Sequence, residues 1–272
     1  MLTKKNKKMK RYLRFFLLFG WASICLFPSS TWSKTIRFAT IDYCPFTCDP
    51  LKEEGKEGFM TDVLREVFEP IGYTLEIEML AYARAVSLVQ DGTYDGIVVV
   101  GKDFAPELLY PDMPTVIQRV AFMVNAGEPW EYTGIDSLPQ VTVGIVKGYH
   151  YVVPDLVTYF EKERNNQARV LVIHGEGTTK RGIRLLQAKR ITTFLEGEYS
   201  AMYELKKMGN TETVSIAGYT AEGFHDYSGF SPHNPDAVKY AQILSDSLAK
   251  LKKSGRLEDI INSYGVNFKQ TP

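Results

Sequence analysis

Cysteine, histidine and tryptophan are scarce in this 272-residue chain, which holds three, four and three of them respectively. The four histidines, His150, His174, His225 and His233, are scattered and none accompanies a cysteine at metal-ligand spacing, so a structural zinc site is not expected. No Ser/His/Asp set, phosphate-binding glycine loop or metal-binding spacing is present, which leaves no sequence signature of a hydrolase, nucleotide-binding protein or metalloenzyme. Net charge is also missing: 32 basic residues balance 32 acidic ones. That balance hides an asymmetry, because Lys4, Lys5, Lys7, Lys8, Lys10, Arg11 and Arg14 crowd into residues 1–33, which carry no acid. Without those seven, 25 basic residues face 32 acidic ones and the net charge is −7.

The basic N-terminus is followed by an apolar run from Phe15 to Phe27 and by Thr31 and Ser33 at the −3 and −1 positions before Lys34. This is the pattern of a cleaved secretory signal over residues 1–33. The apolar run is shorter than the roughly 20 residues that a membrane-spanning helix needs. Cys25 suggests a lipoprotein, but Ile24 stands where a small residue should precede the lipidated cysteine. An exported chain with Cys44 and Cys48 separated by three residues reads as carrying a local disulfide across Cys-Pro-Phe-Thr-Cys.

Composition is otherwise that of a globular protein, with 44% hydrophobic and 24% charged residues. Residues 35–41 alternate as a strand, 58–71 carry a helical apolar stripe, 73–79 alternate again, and Ala81 to Gly101 combines a helix, an Asp91-Gly92 stop and the buried strand DGIVVV. These make a β-α-β-α-β series. Pro-rich residues 103–115 read as a loop and 119–125 as a strand. A second series follows, with strands over 141–146, 169–173, 191–195 and 213–217 and helices over 151–162, 179–188 and 199–208. Residues 218–232 read as a polar, aromatic return, followed by a long helix over 235–253 and a short one through LEDIINSYG. LVQDGTYDGIVVVG and LLQAKRITTFLEGE echo each other weakly, as two parts of similar construction would.

The segments CPF, GFMTDVLREVFEPIGY, AYARAVSLVQDGTYDGI, VTVGIVKGYHY and ILSDSLAKLKKSGRLEDIINSYG together resemble the family 3 extracellular solute-binding proteins, the periplasmic receptors of polar amino-acid ABC transporters. The resemblance spans nearly all of the chain after the leader. It implies an α/β, type II periplasmic-binding-protein fold: two lobes, each a mostly parallel sheet flanked by helices, joined by two hinge strands. Lobe one is expected over 34–122 and 219–272, and lobe two over 123–218. It further implies a non-enzymatic receptor in the periplasm that closes on a small polar solute and delivers it to an ABC permease, acting as a monomer without cofactor, metal or nucleic acid. An enzyme of dehydratase type and a sensory protein without a transport role are the alternatives.

Family members usually place an Arg after the strand equivalent to DGIVVV, where a guanidinium fork grips the ligand carboxylate. Here that loop reads GKDFAPELLYPDMP and has no Arg, leaving Lys102 as a point charge. Where members commonly have an Asp for the α-amino group, this chain has Glu196-Gly197-Glu198. The remaining expected contacts are Asp42, Tyr43 and Phe46 after the first strand, Tyr82 and Arg84 on the central helix, Arg119, and the turn Gly148-Tyr149-His150, read as a helix N-terminus with amides free for an anion. From the cations available, the ligand is expected to carry an anionic group held by Arg84 and the Gly148 to His150 backbone.

Overall fold

The computed structural model describes residues 34–266 other than 150, 152, 176 and 222; the leader and His150 lie outside the described residues. The chain is a mixed α/β protein built on two five-stranded sheets. The first has the order β2-β1-β3-β10-β4, from β1 (Lys34–Thr40), β2 (Tyr73–Met79), β3 (Gly96–Gly101), β4 (Val116–Gln118) and β10 (Phe224–Phe230). The second has the order β7-β6-β8-β5-β9, from β5 (Val120–Asn125), β6 (Val143–Val146), β7 (Val170–Ile173), β8 (Thr193–Gly197) and β9 (Val214–Tyr219). Parallel pairs (β1 with β3, β6 with β7 and β8) form one part of each sheet. Antiparallel pairs (β10 with β3 and β4, β5 with β8 and β9) form the other.

Burial explains the elements. GIVVVG is buried along almost its whole length because helices cover both faces of a parallel strand. In α1 (Phe59–Phe68), Phe59, Met60, Val63, Leu64, Val67 and Phe68 face the core, and Pro70 turns the expected continuation to residue 71 into a 3-10 turn. Helix α2 (Tyr82–Gln90) buries only Ala85, Val86 and Val89, and leaves its first turn exposed. The helices α6 (Ala237–Ser254) and α7 (Arg256–Ser263) complete the first core, which includes Phe38, Phe68, Phe230, Tyr240 and Ile261. Helices α3 (Pro154–Glu163), α4 (Thr178–Gln187) and α5 (Glu198–Lys207) flank the second sheet. Tyr199 and Tyr203 of α5 also join the first core, beside Phe46 and Phe59.

Structure and expectation differ at three places. Residues 224–230 are not an irregular return but the strand β10, hydrogen-bonded between β3 and β4. The strand expected over 119–125 is β5, whereas residues 116–118, left unassigned between it and the expected loop, are a separate short strand, β4, in the other sheet. Helix α3 starts at Pro154, whose ring pre-sets the first turn, rather than at the expected Tyr151, which lies outside any helix. The chain passes from the first sheet to the second at Arg119 and returns between Tyr219 and Phe224.

Candidate functional site

The first strand ends in a tight turn closed by the Cys44–Cys48 disulfide. Within it Phe46 N–H and Thr47 N–H donate to the Tyr43 carbonyl, and Thr47 Oγ1 donates to the Ile41 carbonyl at 2.6 Å. The turn splits its aromatic residues: Phe46 is fully buried against Phe59, while Tyr43 stacks on Phe46 at 4.8 Å and lies on the other side. Tyr43 there faces a cavity of about 320 Å³.

This cavity is lined from both sheets. The carboxyl end of β3 with Phe104, Tyr82 of α2, Gln118, Phe224 and Asp226 form one side, and Lys147, Gly148 and Tyr149 after β6 form the other. It thus occupies the position beyond carboxyl strand ends where α/β sheets bind ligands. Asp226 is central: it lies opposite Gly101 on β3 and opposite Val116 on β4, and is 8% exposed. Gln118 Nε2 donates to Asp226 Oδ2 at 3.2 Å and to the Tyr43 phenol oxygen at 2.9 Å. Two glycines make room for Gln118. A Cβ on Gly197 would lie 2.4 Å from Gln118 Oε1, and one on Gly223 would lie 2.5 Å from its carbonyl oxygen.

Burial pushes the Asp226 carboxyl up to about 7, against the smaller opposing effect of the Gln118 hydrogen bond. Glu196, at 0% exposure, is also raised to about 7 by burial, although Gly197 N–H (2.8 Å) and Thr179 Oγ1 (3.0 Å) donate to it. These carboxylates in turn raise the Tyr43 phenol, after burial itself, and burial with Asp226 raises Tyr82 to about 12. The phenols are therefore neutral, and the negative charge of this wall resides on the two carboxylates, which titrate between protonated and ionised near pH 7. No ion pair between described residues reaches Asp226 or Glu196.

The structure brings Tyr43, Tyr82, Gly148 and Tyr149 to this cavity. Phe46 lies beneath it in the core, and Glu196 is enclosed beside it at the end of β8, acting electrostatically on Tyr43 and Tyr149. The other expected contacts are engaged elsewhere. Asp42 is exposed and pairs with Lys52 at 2.9 Å, because the turn after β1 directs it outward. Arg84 lies on the exposed first turn of α2, where its charge is felt at Tyr94. The Lys102 ammonium rests over Tyr227 and Tyr110, at 4.3 and 5.4 Å from the ring centres. Arg119 and Glu198 bind each other through two hydrogen bonds of 3.0 and 3.2 Å, and the guanidinium lies 3.9 Å over Tyr219. They form a clasp where the chain changes sheets. Gly148 has φ of 85° in a turn six residues ahead of α3, and the Tyr149 N–H donates to the Val146 carbonyl, so these two residues are not at a helix N-terminus; His150 lies outside the described residues.

Sequence reasoning missed Gln118 and Asp226. The available signal was a lone acid inside the otherwise aromatic and small FHDYSGF, a composition that costs too much to bury without a purpose. Among the described residues no group of His, Cys, Asp and Glu is arranged to hold a metal ion, and no helix is long and apolar enough to cross a membrane.

No protein-family model and no curated protein matches the sequence. Solved structures do. One from work on glutathione import through a cystine ABC importer in Streptococcus mutans has a TM-score of 0.66 at 20% identity, over 88% of this chain and 98% of its own. A histidine kinase sensor domain with similarity to periplasmic binding proteins has a TM-score of 0.63 at 18% identity, over 87% and 99%. An amino-acid ABC transporter substrate-binding protein from Streptococcus pneumoniae bound to L-arginine has a TM-score of 0.61 at 19% identity, over 85% and 93%. With the two sheets and their connections, these similarities make the chain a type II periplasmic-binding-protein fold.

Proposed function

We propose that this protein is an exported solute-binding receptor, similar to family 3 members, that closes two lobes on a small polar, amino-acid-like ligand and delivers it to an ABC-type permease. In this reading the lobes turn about the two chain crossings between the sheets, near Arg119 and after Tyr219. The observation that carries the reading is the cavity between the sheets, walled by Tyr43, Tyr82 and Gln118 on one side and by Lys147 and Tyr149 on the other, with a buried carboxylate in it. Hinge closure about two strand crossings is the motion that buries a ligand in such a cleft. The proposed export rests on the leader expected over residues 1–33, and the periplasm is the compartment this reading gives the receptor. Small-angle scattering of the mature chain with and without the molecules of a polar-solute library tests it: a binder should reduce the radius of gyration, and a library without any binder or compaction would count against a solute receptor. A sensory receptor is the second reading, favoured by the similarity to a histidine kinase sensor domain over almost its full length. Capture of a permease rather than a kinase by the ligand-loaded protein separates the two.

A further inference from the structure

Asp226 has a geometry that the receptor reading alone does not explain. It is a carboxylate more than nine-tenths buried, it lines the cavity, and among the described residues no cation pairs with it. Its hydrogen-bond donor is Gln118 Nε2, whose two hydrogens are both used, one on Asp226 and one on the Tyr43 oxygen. Gln118 Oε1 is buried with no partner. The Asp226 carboxylate with one donor and Gln118 Oε1 with none leave acceptor capacity unfilled at this wall, and buried acceptors are costly until donors arrive. Around it stand Tyr43, Tyr82, Phe104, Tyr149 and Phe224. Aromatic faces attract cations, and the Lys102 ammonium over Tyr227 and Tyr110 shows such a pairing on the same sheet edge. Lys147, the cation among the residues lining the cavity, is exposed.

We infer that the ligand is a small organic cation whose ammonium or guanidinium group is received by Asp226 and Gln118 inside this aromatic wall, so that the cation, and not a carboxylate, carries recognition. This rests on the receptor reading of the same cavity and narrows its ligand class. It replaces the anionic ligand expected from sequence, since Arg84 does not line the cavity and Lys102 is stacked on tyrosines. Ligands bearing a carboxylate as well leave it toward Lys147 at the exposed side.

Calorimetric titration of the mature chain with putrescine, agmatine, L-arginine and glutarate tests the inference. Agmatine and L-arginine share a guanidinium group and differ by the carboxylate. At least one cationic probe should bind, agmatine no more than tenfold weaker than L-arginine where both bind, and glutarate should not. Asp226→Asn, which keeps the shape and the Gln118 contact, should weaken the cationic probe by about ten- to a hundredfold, the loss of one charge-assisted contact. Binding of glutarate with no cationic probe bound, or equal affinity in wild type and Asp226→Asn, overturns the inference. The wild-type comparison decides even where Asp226→Asn does not fold. The receptor reading fails separately: Tyr149→Ala, on the opposite wall, should weaken whatever binds, cation or anion, and a bound probe indifferent to it would not be in this cleft.

Discussion

Replacing Glu196 by Gln should stabilise the ligand-free protein, and the gain should depend on pH. Glu196 is fully enclosed, and burial raises its carboxyl from 4.5 to about 7. A raised acid pKa means that folding favours the protonated form. Its contribution is therefore most favourable below the unfolded value and is lost as pH rises toward and through about 7. At 1.36 kcal/mol per tenfold change in proton affinity, the ionised side chain costs about 3 kcal/mol at pH 8 and under about 1 kcal/mol at pH 5. A Gln side chain accepts from Gly197 N–H through its oxygen and donates to Thr179 Oγ1, so both contacts survive without the charge. With roughly 2 to 4 °C per kcal/mol for a domain of this size, the variant should melt about 6 to 12 °C above wild type at pH 8 and within a few degrees of it at pH 5. The assay is differential scanning calorimetry on protein stripped of bound solute by refolding. A constant difference across that range, or a variant less stable at pH 8, would refute the account of Glu196 as a buried acid held at a cost.

Other perturbations separate structure from binding. Arg119→Met leaves the almost buried Glu198 without its cationic partner and should cost about 2 to 4 kcal/mol in urea unfolding. Glu53 accepts from Tyr203 at 2.7 Å and from Lys207 at 2.6 Å, tying α5 to the loop after the disulfide; Glu53→Ala should lower stability by about 1 to 3 kcal/mol in the same assay. Reducing Cys44–Cys48 releases a very short loop, so by loop-closure entropy the loss should be about 2 kcal/mol, and both thiols should resist alkylation until a reductant is added. N-terminal sequencing of the exported protein should begin at or near Lys34; an intact Met1 would remove the signal-peptide reading.

Much of the fold was legible because its signals are local. The stripe in FMTDVLREVF and the run GIVVVG fix an amphipathic helix and a buried strand wherever the chain goes. β10 was not, because FHDYSGF has no alternation and gains its strand state from β3 and β4 on either side, a long-range condition that no window displays. The site divided in the same way. Tyr43 and Tyr149 follow strand ends and are found by that rule, whereas Asp226 and Gln118 meet across 108 residues of sequence. Charge alone could not place Arg84, Lys102 and Arg119, because in sequence a cation near a cleft is indistinguishable from one that pairs with Glu198 or stacks on tyrosine.

The central claim is that a small solute occupies the cavity between Tyr43, Tyr149 and Asp226. Native mass spectrometry of the protein purified without refolding tests it most directly. A discrete small-molecule adduct on wild type that is lost on denaturation and depleted in Tyr149→Ala is the predicted result. An adduct retained in equal amount by Tyr149→Ala and Asp226→Asn, or wild type at its bare mass with no adduct restored by any solute, would contradict it.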